Sequence, residues 1–131
     1  MSGDVLAGMP LAAELGMKLV DARPDEVTLR VEWSERLCTT GAVMHGGVLM
    51  ALADTAGALC AFLNLPPDCG TSTIESKTNF FRAVRDGHVD AVARPLHVGR
   101  STIVVQTELH DASGRRVAIT TQTQAVLPLS R

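Results

Sequence analysis

One long apolar segment, Gly46–Leu63, constrains the fold of this chain more than any other feature. His45 precedes it, Gly46 and Gly47 open it, and Asp54 is its only side chain that carries a full charge at neutral pH. Because the segment is apolar on all sides, a helix formed from it must be surrounded by other structure. A carboxylate in such surroundings is costly unless it is paired or takes part in chemistry. Asp54 is therefore a candidate functional residue.

The same segment is about long enough to cross a bilayer. A membrane span is disfavoured because a central carboxylate costs roughly 2.5–3.5 kcal/mol. We predict a core helix over 46–64, ended by Pro66 and Pro67. The N-terminus does not resemble a signal peptide, since Asp4 stands where such a peptide carries Lys or Arg and Pro10 interrupts the apolar run. Residues 1–15 are expected to form a helical segment at the edge of the domain.

Length and composition indicate a single domain over 1–131, since 131 residues can bury one core and 46% of them are apolar. The formal net charge of −2 argues against nucleic acid as a partner, because phosphate binding requires a basic face. The 3 cysteines are an odd number without a C-x-x-C pair. A disulfide framework and a zinc site are therefore not expected, and a reducing cytoplasm suits the chain best.

Alternating apolar residues predict a sheet around this helix. Val27, Leu29, Val31 and Trp33 alternate with polar residues, which is typical of a strand with one solvated face. Four more strands are expected at 71–81, 88–97, 102–109 and 117–124, and we expect them to form a meander. The fold class is then α+β, with one long buried helix wrapped by a strongly bent antiparallel sheet. A single sheet cannot cover both sides of the helix, so a second copy of the chain is expected on the other side.

Two motifs in this arrangement resemble a known family. Gly41-x-x-x-His45-Gly46-Gly47, followed by Leu52-Ala53-Asp54, is similar to the hot-dog fold acyl-CoA thioesterases of the phenylacetate-pathway (PaaI-like) group. The residues at 98–101 and 111–118 resemble the two later hairpins of that group in the same order. The resemblance implies hydrolysis of acyl-CoA or aryl-CoA thioesters.

The resemblance also implies a role for each matching residue. Asp54 would act as the nucleophile or as the base that activates water, and the Gly46 N–H would polarise the thioester carbonyl. His45 would shape the loop and contact the carbonyl, and Ser72 would position water or the carboxylate. Thr39 stands where related enzymes carry Asn or Gln, and it is shorter and has no amide group.

The remaining candidates would contact the substrate. Leu49, Met50 and Ala53 are expected to line the acyl pocket, and Gly47 lies at the helix N-terminus, where unpaired N–H groups favour an oxyanion. Arg100, in a turn with Gly99, is a candidate contact for the CoA phosphates. No metal or redox cofactor is implied, because a thiolate is already a good leaving group.

Helix geometry bears on how these groups meet. Gly46 and Asp54 lie about 12 Å apart along a helix axis, whereas a carbonyl carbon and oxygen are about 1.2 Å apart. If both residues act on the same thioester carbonyl, they must belong to two different subunits. The sequence therefore favours a homodimer or a dimer of dimers, with the active site at the interface.

Two other functions are compatible with the sequence. Thr39 in place of an amide favours a non-catalytic module that binds acyl-CoA or only oligomerises. A hydratase or dehydratase on the same fold is a second alternative, although such enzymes tend to carry an Asn-Pro pair between histidine and acid that is missing here.

Overall fold

The computed structural model describes residues 4–129. The first three and last two residues of the predicted domain, and with them the start of the expected segment 1–15, lie outside this range. Residues 4–129 form one antiparallel sheet and one long helix packed against it. The strands are β1 (Lys18–Arg23), β2 (Glu26–Glu32), β3 (Cys69–Phe80), β4 (His88–Val98), β5 (Thr102–Asp111) and β6 (Arg116–Pro128). Their order in the sheet is β1-β2-β4-β5-β6-β3.

The helices begin and end where the sequence provides signals for them. Two short ones, α1 (Asp4–Ala7) and α2 (Pro10–Glu14), precede the sheet, and α3 (Gly46–Leu63) follows β2 after two short 3-10 turns. At the C-terminus of α3, Asn64 Nδ2 donates to Pro24 O at 2.7 Å and to Cys60 O at 2.8 Å. The predicted core helix is therefore present to within one residue at its C-terminal end.

The core lies between α3 and the concave side of the sheet. Its largest fully buried aliphatic side chains are Leu29, Leu52, Ile103 and Leu109. Burying such a side chain stabilises the fold by roughly 1.5–3 kcal/mol. By length and hydropathy α3 could also cross a membrane, a criterion that core helices meet as well. Here α3 packs on β2, β4, β5, β3 and β6.

The structure corrects the predictions for the N-terminal part of the chain. The single helix expected there is divided in two at Gly8 and Met9, because Pro10 can begin a helix but cannot continue one. The strand β1 was not predicted, since only Leu19 and Val20 of its six residues are strongly apolar. It pairs with β2, in a ladder that runs from Lys18↔Arg30 to Arg23↔Glu26.

The expected four-strand meander is also wrong in one position. β4, β5 and β6 are consecutive neighbours, but β3 pairs with β6 and forms an edge of the sheet. The seven residues between Phe80 and His88 carry the chain from that edge past two strands to β4. Seven extended residues reach about 23 Å, and three strand spacings require only about 14 Å. Local alternation identifies strands but does not say which of them are neighbours.

One side of α3 is left uncovered, which differs from the helix buried all round that hydropathy predicts. Met50 is 44% exposed and Phe62 is 54% exposed, and Asp54 is exposed as well. The neighbouring edge strand β3 is exposed over most of its length. We call the exposed side of α3 together with β3 the open face.

Candidate active site

The N-terminus of α3 is built by a short loop that ends at His45. Gly41 and Ala42 both have positive φ angles, 77° and 59°, so the chain turns sharply before the helix. His45 is the N-cap, and its Nδ1 accepts a hydrogen bond from the Gly47 N–H at 2.7 Å. The structure thus assigns to His45 a loop-shaping contact of the kind that caps helices.

The Gly46 N–H, at the first position of α3, has no hydrogen-bond acceptor among the described residues. It lies beside a cavity of about 370 Å³ whose lining includes Thr39, Gly46, Leu49 and Phe80. A helix N-terminus presents free N–H groups and a positive dipole end, which favour a developing negative charge. The structure therefore brings Thr39 and Gly46 together at one cavity, as their proposed roles require.

Asp54 lies two turns further along α3, on the open face. The prediction that it is buried is wrong for the single chain, because nothing in residues 4–129 covers that side of the helix. Within residues 4–129 its side chain has one hydrogen bond, in which Gln122 Nε2 donates to Asp54 Oδ1 at 3.3 Å. The carboxylate thus accepts a hydrogen bond from a buried amide on the sheet side and is exposed to solvent on the open face.

A buried polar network extends from this contact. Gln122 Nε2 also donates to Gln124 Oε1 at 2.9 Å. Thr73 Oγ1 donates to the same oxygen at 2.7 Å, and Gln124 Nε2 donates to Thr71 Oγ1 at 3.1 Å. Sequence reasoning missed all four residues. A signal existed, because Gln122 and Gln124 share one face of an alternating strand, but alternation did not show that this face is the buried one.

The structure does not bring Ser72 to the site. In the β3–β6 ladder Ser72 is opposite Ala125, on the face of the sheet that is turned away from α3. Thr71 and Thr73 take the α3 side in its place, as their hydrogen bonds to Gln124 show. Beyond the bulge between Thr73 and Glu75, Ser76 is opposite Gln122 and therefore shares its face.

The expected substrate contacts are distributed over several surfaces. Leu49 and Ala53 are buried under the sheet, although Leu49 still lines the cavity at Gly46. Met50 and Gly47 lie on the exposed side of α3. Gly99 and Arg100 line a separate cavity of about 550 Å³ beyond the C-terminal end of α3.

Two further observations concern the Cys60 thiol and the metal-ligating residue types of the described chain. Burial, together with the nearby charge of Asp25, raises the pKa of the Cys60 thiol to about 11, so that thiol is protonated and unreactive at neutral pH. Within the same range no cluster of three His, Cys, Asp or Glu side chains could hold a metal ion.

Comparison with known proteins identifies the family. The thioesterase superfamily model matches residues 41–118, which is more than half of the chain and includes His45, Gly46 and Asp54. The chain belongs to the thioesterase superfamily. The hot-dog fold is thereby confirmed, and the class of reaction is hydrolysis of a thioester.

Individual relatives within the superfamily agree with this. A Vibrio cholerae protein named as an esterase is 39% identical over 84 residues, which are 64% of this chain and 56% of that protein. A 1,4-dihydroxy-2-naphthoyl-CoA hydrolase of Listeria monocytogenes is 27% identical over 90% of this chain and 96% of its own length. The thioesterase HI1161 of Haemophilus influenzae superposes with a TM-score of 0.93 at 25% identity, covering 100% of this chain and 94% of its own. The narrower phenylacetate-pathway group remains a prediction.

Proposed function

We propose that this thioesterase hydrolyses aryl-CoA or acyl-CoA thioesters at sites shared between two subunits. The Gly46 N–H of one subunit polarises the thioester carbonyl. Asp54 of the other attacks the carbonyl carbon, or takes a proton from the water that attacks it. The C–S bond breaks, the sulfur leaves with a proton as free CoA, and water supplies the oxygen and hydrogen of the acid.

The observation that carries this proposal is the spacing of two groups on one helix. The Gly46 N–H has no acceptor in the described part of the chain and the Asp54 carboxylate is exposed, so both are available to a substrate. Within one chain they lie about 12 Å apart along α3. Two such helices, antiparallel and side by side, bring Gly46 of each subunit near Asp54 of the other.

The open face provides the surface for that second copy. It exposes apolar side chains, with Ile74 59% and Phe80 49% accessible to solvent. It also contains an edge strand, whose unpaired N–H and C=O groups favour pairing with another chain. A homodimer, or a dimer of dimers, is the assembly that we expect.

Two observations favour an aryl group in the substrate. The Listeria monocytogenes and Escherichia coli relatives are both named for a naphthoyl-CoA. The cavity at Gly46 is lined by Phe80 and Phe81, whose rings can pack on an aromatic acyl group. We assign the reaction to the cytoplasm, where three free thiols such as those of Cys38, Cys60 and Cys69 persist.

The proposal is tested by mixing two inactive variants. Asp54→Asn removes the acid and should lower kcat at least about a hundredfold, the low end for loss of an acid or base. Gly46→Pro removes the carbonyl donor, because proline has no N–H. In a mixed dimer one site collects both defects and the other has neither. With full subunit exchange, an equal mixture should regain about a quarter of wild-type activity, the result of random pairing.

A matched control separates the lost N–H from added bulk. A Cβ on Gly46 would lie 3.3 Å from Phe80 Cζ, so Gly46→Ala introduces that contact while keeping the N–H. We expect Gly46→Ala to remain active.

The assay is thiol release from a panel of aryl-CoA and acyl-CoA thioesters. Mixtures no more active than their parents, once mixed dimers are shown to form, contradict the shared site. An active Asp54→Asn contradicts the role of the acid, and a wild type that releases no thiol contradicts the function.

A further inference from the structure

Gln122 occupies a position that an apolar residue would fill at lower cost. Its side chain is fully buried on the side of β6 that faces α3, and in the sheet it is paired with Val105 of β5. Its Oε1 is buried and has no hydrogen-bond partner among residues 4–129. An unpaired buried oxygen destabilises a fold, so its retention points to a role for the other end of the amide.

The backbone of α3 is adapted to this side chain. A Cβ added to Gly57 would collide with Gln122 Oε1. Gly57 is three residues after Asp54, so the two are neighbours on one side of the helix. The missing side chain at Gly57 thus makes room for Gln122 to reach Asp54.

The network sets the direction in which Gln122 points its amide. Gln124 Oε1 already accepts from Thr73 Oγ1, and Gln124 Nε2 donates to Thr71 Oγ1. Gln122 Nε2 donates to the same Gln124 Oε1, an atom that can only accept. The same Nε2 has a second hydrogen, and it is directed at Asp54 Oδ1. An ionised carboxylate can only accept, so this contact requires that Gln122 present its N–H, and not its carbonyl oxygen, to Asp54.

We propose that Gln122 is a positioning residue that orients the Asp54 carboxylate for thioester hydrolysis. The hydrogen bond fixes Oδ1 toward the sheet and leaves Oδ2 toward the open face, where substrate and water arrive. This inference rests on the catalytic role proposed above for Asp54. It adds that the rotamer of the acid is set from within the core, through a residue that does not touch substrate.

The test replaces Gln122 with methionine, which is similar in length and volume but has no amide. We expect kcat for the best CoA thioester to fall about 10- to 100-fold, the usual cost of misplacing a reacting group, with KM within about twofold of wild type. The melting temperature should stay equal or rise, because an unpaired buried oxygen is removed. Loss of activity without loss of stability is the result that a purely structural role would not give.

Thr107→Val is the matched control. Thr107 is also fully buried, on the neighbouring strand β5, and its Oγ1 also has no partner among the described residues. This variant removes a buried unpaired oxygen without touching Asp54 or its network. We expect wild-type kcat and KM, together with an equal or higher melting temperature.

A spectroscopic measurement keeps the test independent of activity. In chain labelled with ¹³C-aspartate, the Asp54 Cγ resonance is assigned by its absence in Asp54→Asn. It should shift in Gln122→Met and stay in place in Thr107→Val. An unchanged resonance, or an unchanged kcat in Gln122→Met beside an inactive Asp54→Asn, overturns the positioning role alone. An active Asp54→Asn overturns the proposed function instead.

Discussion

The charge of Arg100 is not neutralised by any carboxylate within ion-pair distance in residues 4–129, unlike that of Arg94, which pairs with Glu26 at 2.8 Å. Arg100 lines the cavity at the C-terminal end of α3, where Gly99 donates its N–H to Thr102 O at 2.8 Å and closes the turn. A guanidinium held in such a turn can form paired hydrogen bonds with a phosphate.

Arg100→Ala should therefore raise KM for CoA thioesters and leave kcat nearly unchanged, because phosphate contacts bind the ground state and the transition state equally. The effect should weaken as salt increases. Arg94→Ala, which removes an exposed arginine elsewhere, is the control and should have little effect. Steady-state kinetics with a CoA thioester and with a truncated thioester lacking the nucleotide provide the measurement. An equal loss with both substrates would show that Arg100 does not contact phosphate.

Sequence reasoning located a residue correctly in the fold where a motif fixed its position, and misplaced it where one face of a strand had to be chosen. The motif placed Gly46 at the first turn of α3, where its N–H has no acceptor within residues 4–129, because His45-Gly46-Gly47 stands directly before the long apolar run. The choice of Ser72 failed on geometry. The bulge between Thr73 and Glu75 switches which residues of β3 face the helix, from Thr71 and Thr73 to Ser76. No regular alternation along β3 could have revealed that switch.

At the scale of elements, α3 contains a poor helix former, Gly57, at the point where it packs against the buried amide of Gln122 on β6. Gly57 in a helix interior costs roughly 1 kcal/mol relative to alanine. In this chain the glycine is required because Gln122 Oε1 occupies the space where a Cβ would lie. The two residues should therefore be coupled, and the sign of the Gly57→Ala effect should depend on what stands at position 122.

We expect Gly57→Ala to lower the free energy of unfolding in the wild-type background, because the new methyl group displaces a fully buried side chain. In a Gln122→Ala background the same change should raise it by about 1 kcal/mol, since the helix propensity gain is then unopposed. Urea unfolding of the wild type, the two single variants and the double variant forms a double-mutant cycle. Equal effects of Gly57→Ala in the two backgrounds would contradict the coupling.

The elements themselves were largely predictable from local pattern, and their arrangement was not. The glycines at the start of α3 and Pro66 with Pro67 after its end fixed that helix to within one residue. The position of β3 at the edge depends on the connection between Phe80 and His88, whose length permits several strand orders. The exposure of Asp54 depends on how far the sheet extends around the helix, a property that hydropathy along the chain does not encode.

At the scale of the whole molecule, the two edges of the sheet differ in their surroundings. β1 forms one edge and is paired along its inner side with β2. β3 forms the other edge and is part of the open face. Each edge strand has a bulge, and an exposed β-branched residue lies at the bulge. In β1 this residue is Val20, which is 52% exposed, and in β3 it is Ile74, which is 59% exposed.

This pair allows a matched test of the assembly. Ile74→Asp places a charge in the proposed interface and should shift the protein toward monomers, with loss of thioesterase activity, because desolvating an unpaired carboxylate is costly. Val20→Asp places the same charge on the opposite edge and should leave both properties unchanged. Sedimentation equilibrium and thiol release measure the two outcomes. An Ile74→Asp variant with the wild-type mass would exclude β3 from the interface.

The hydrogen bond between the Gly47 N–H and His45 Nδ1 has a consequence for the tautomer of the imidazole. An Nδ1 that accepts carries no hydrogen, so the single ring proton of neutral His45 resides on Nε2. The outer nitrogen of this ring is then a donor with no lone pair to offer, which prevents it from removing a proton from water. The loop before α3 thus presents two hydrogen-bond donors at successive residues, the Nε2–H of His45 and the N–H of Gly46, which has no acceptor within residues 4–129. In the proposed mechanism, base chemistry is therefore left to Asp54 of the other subunit.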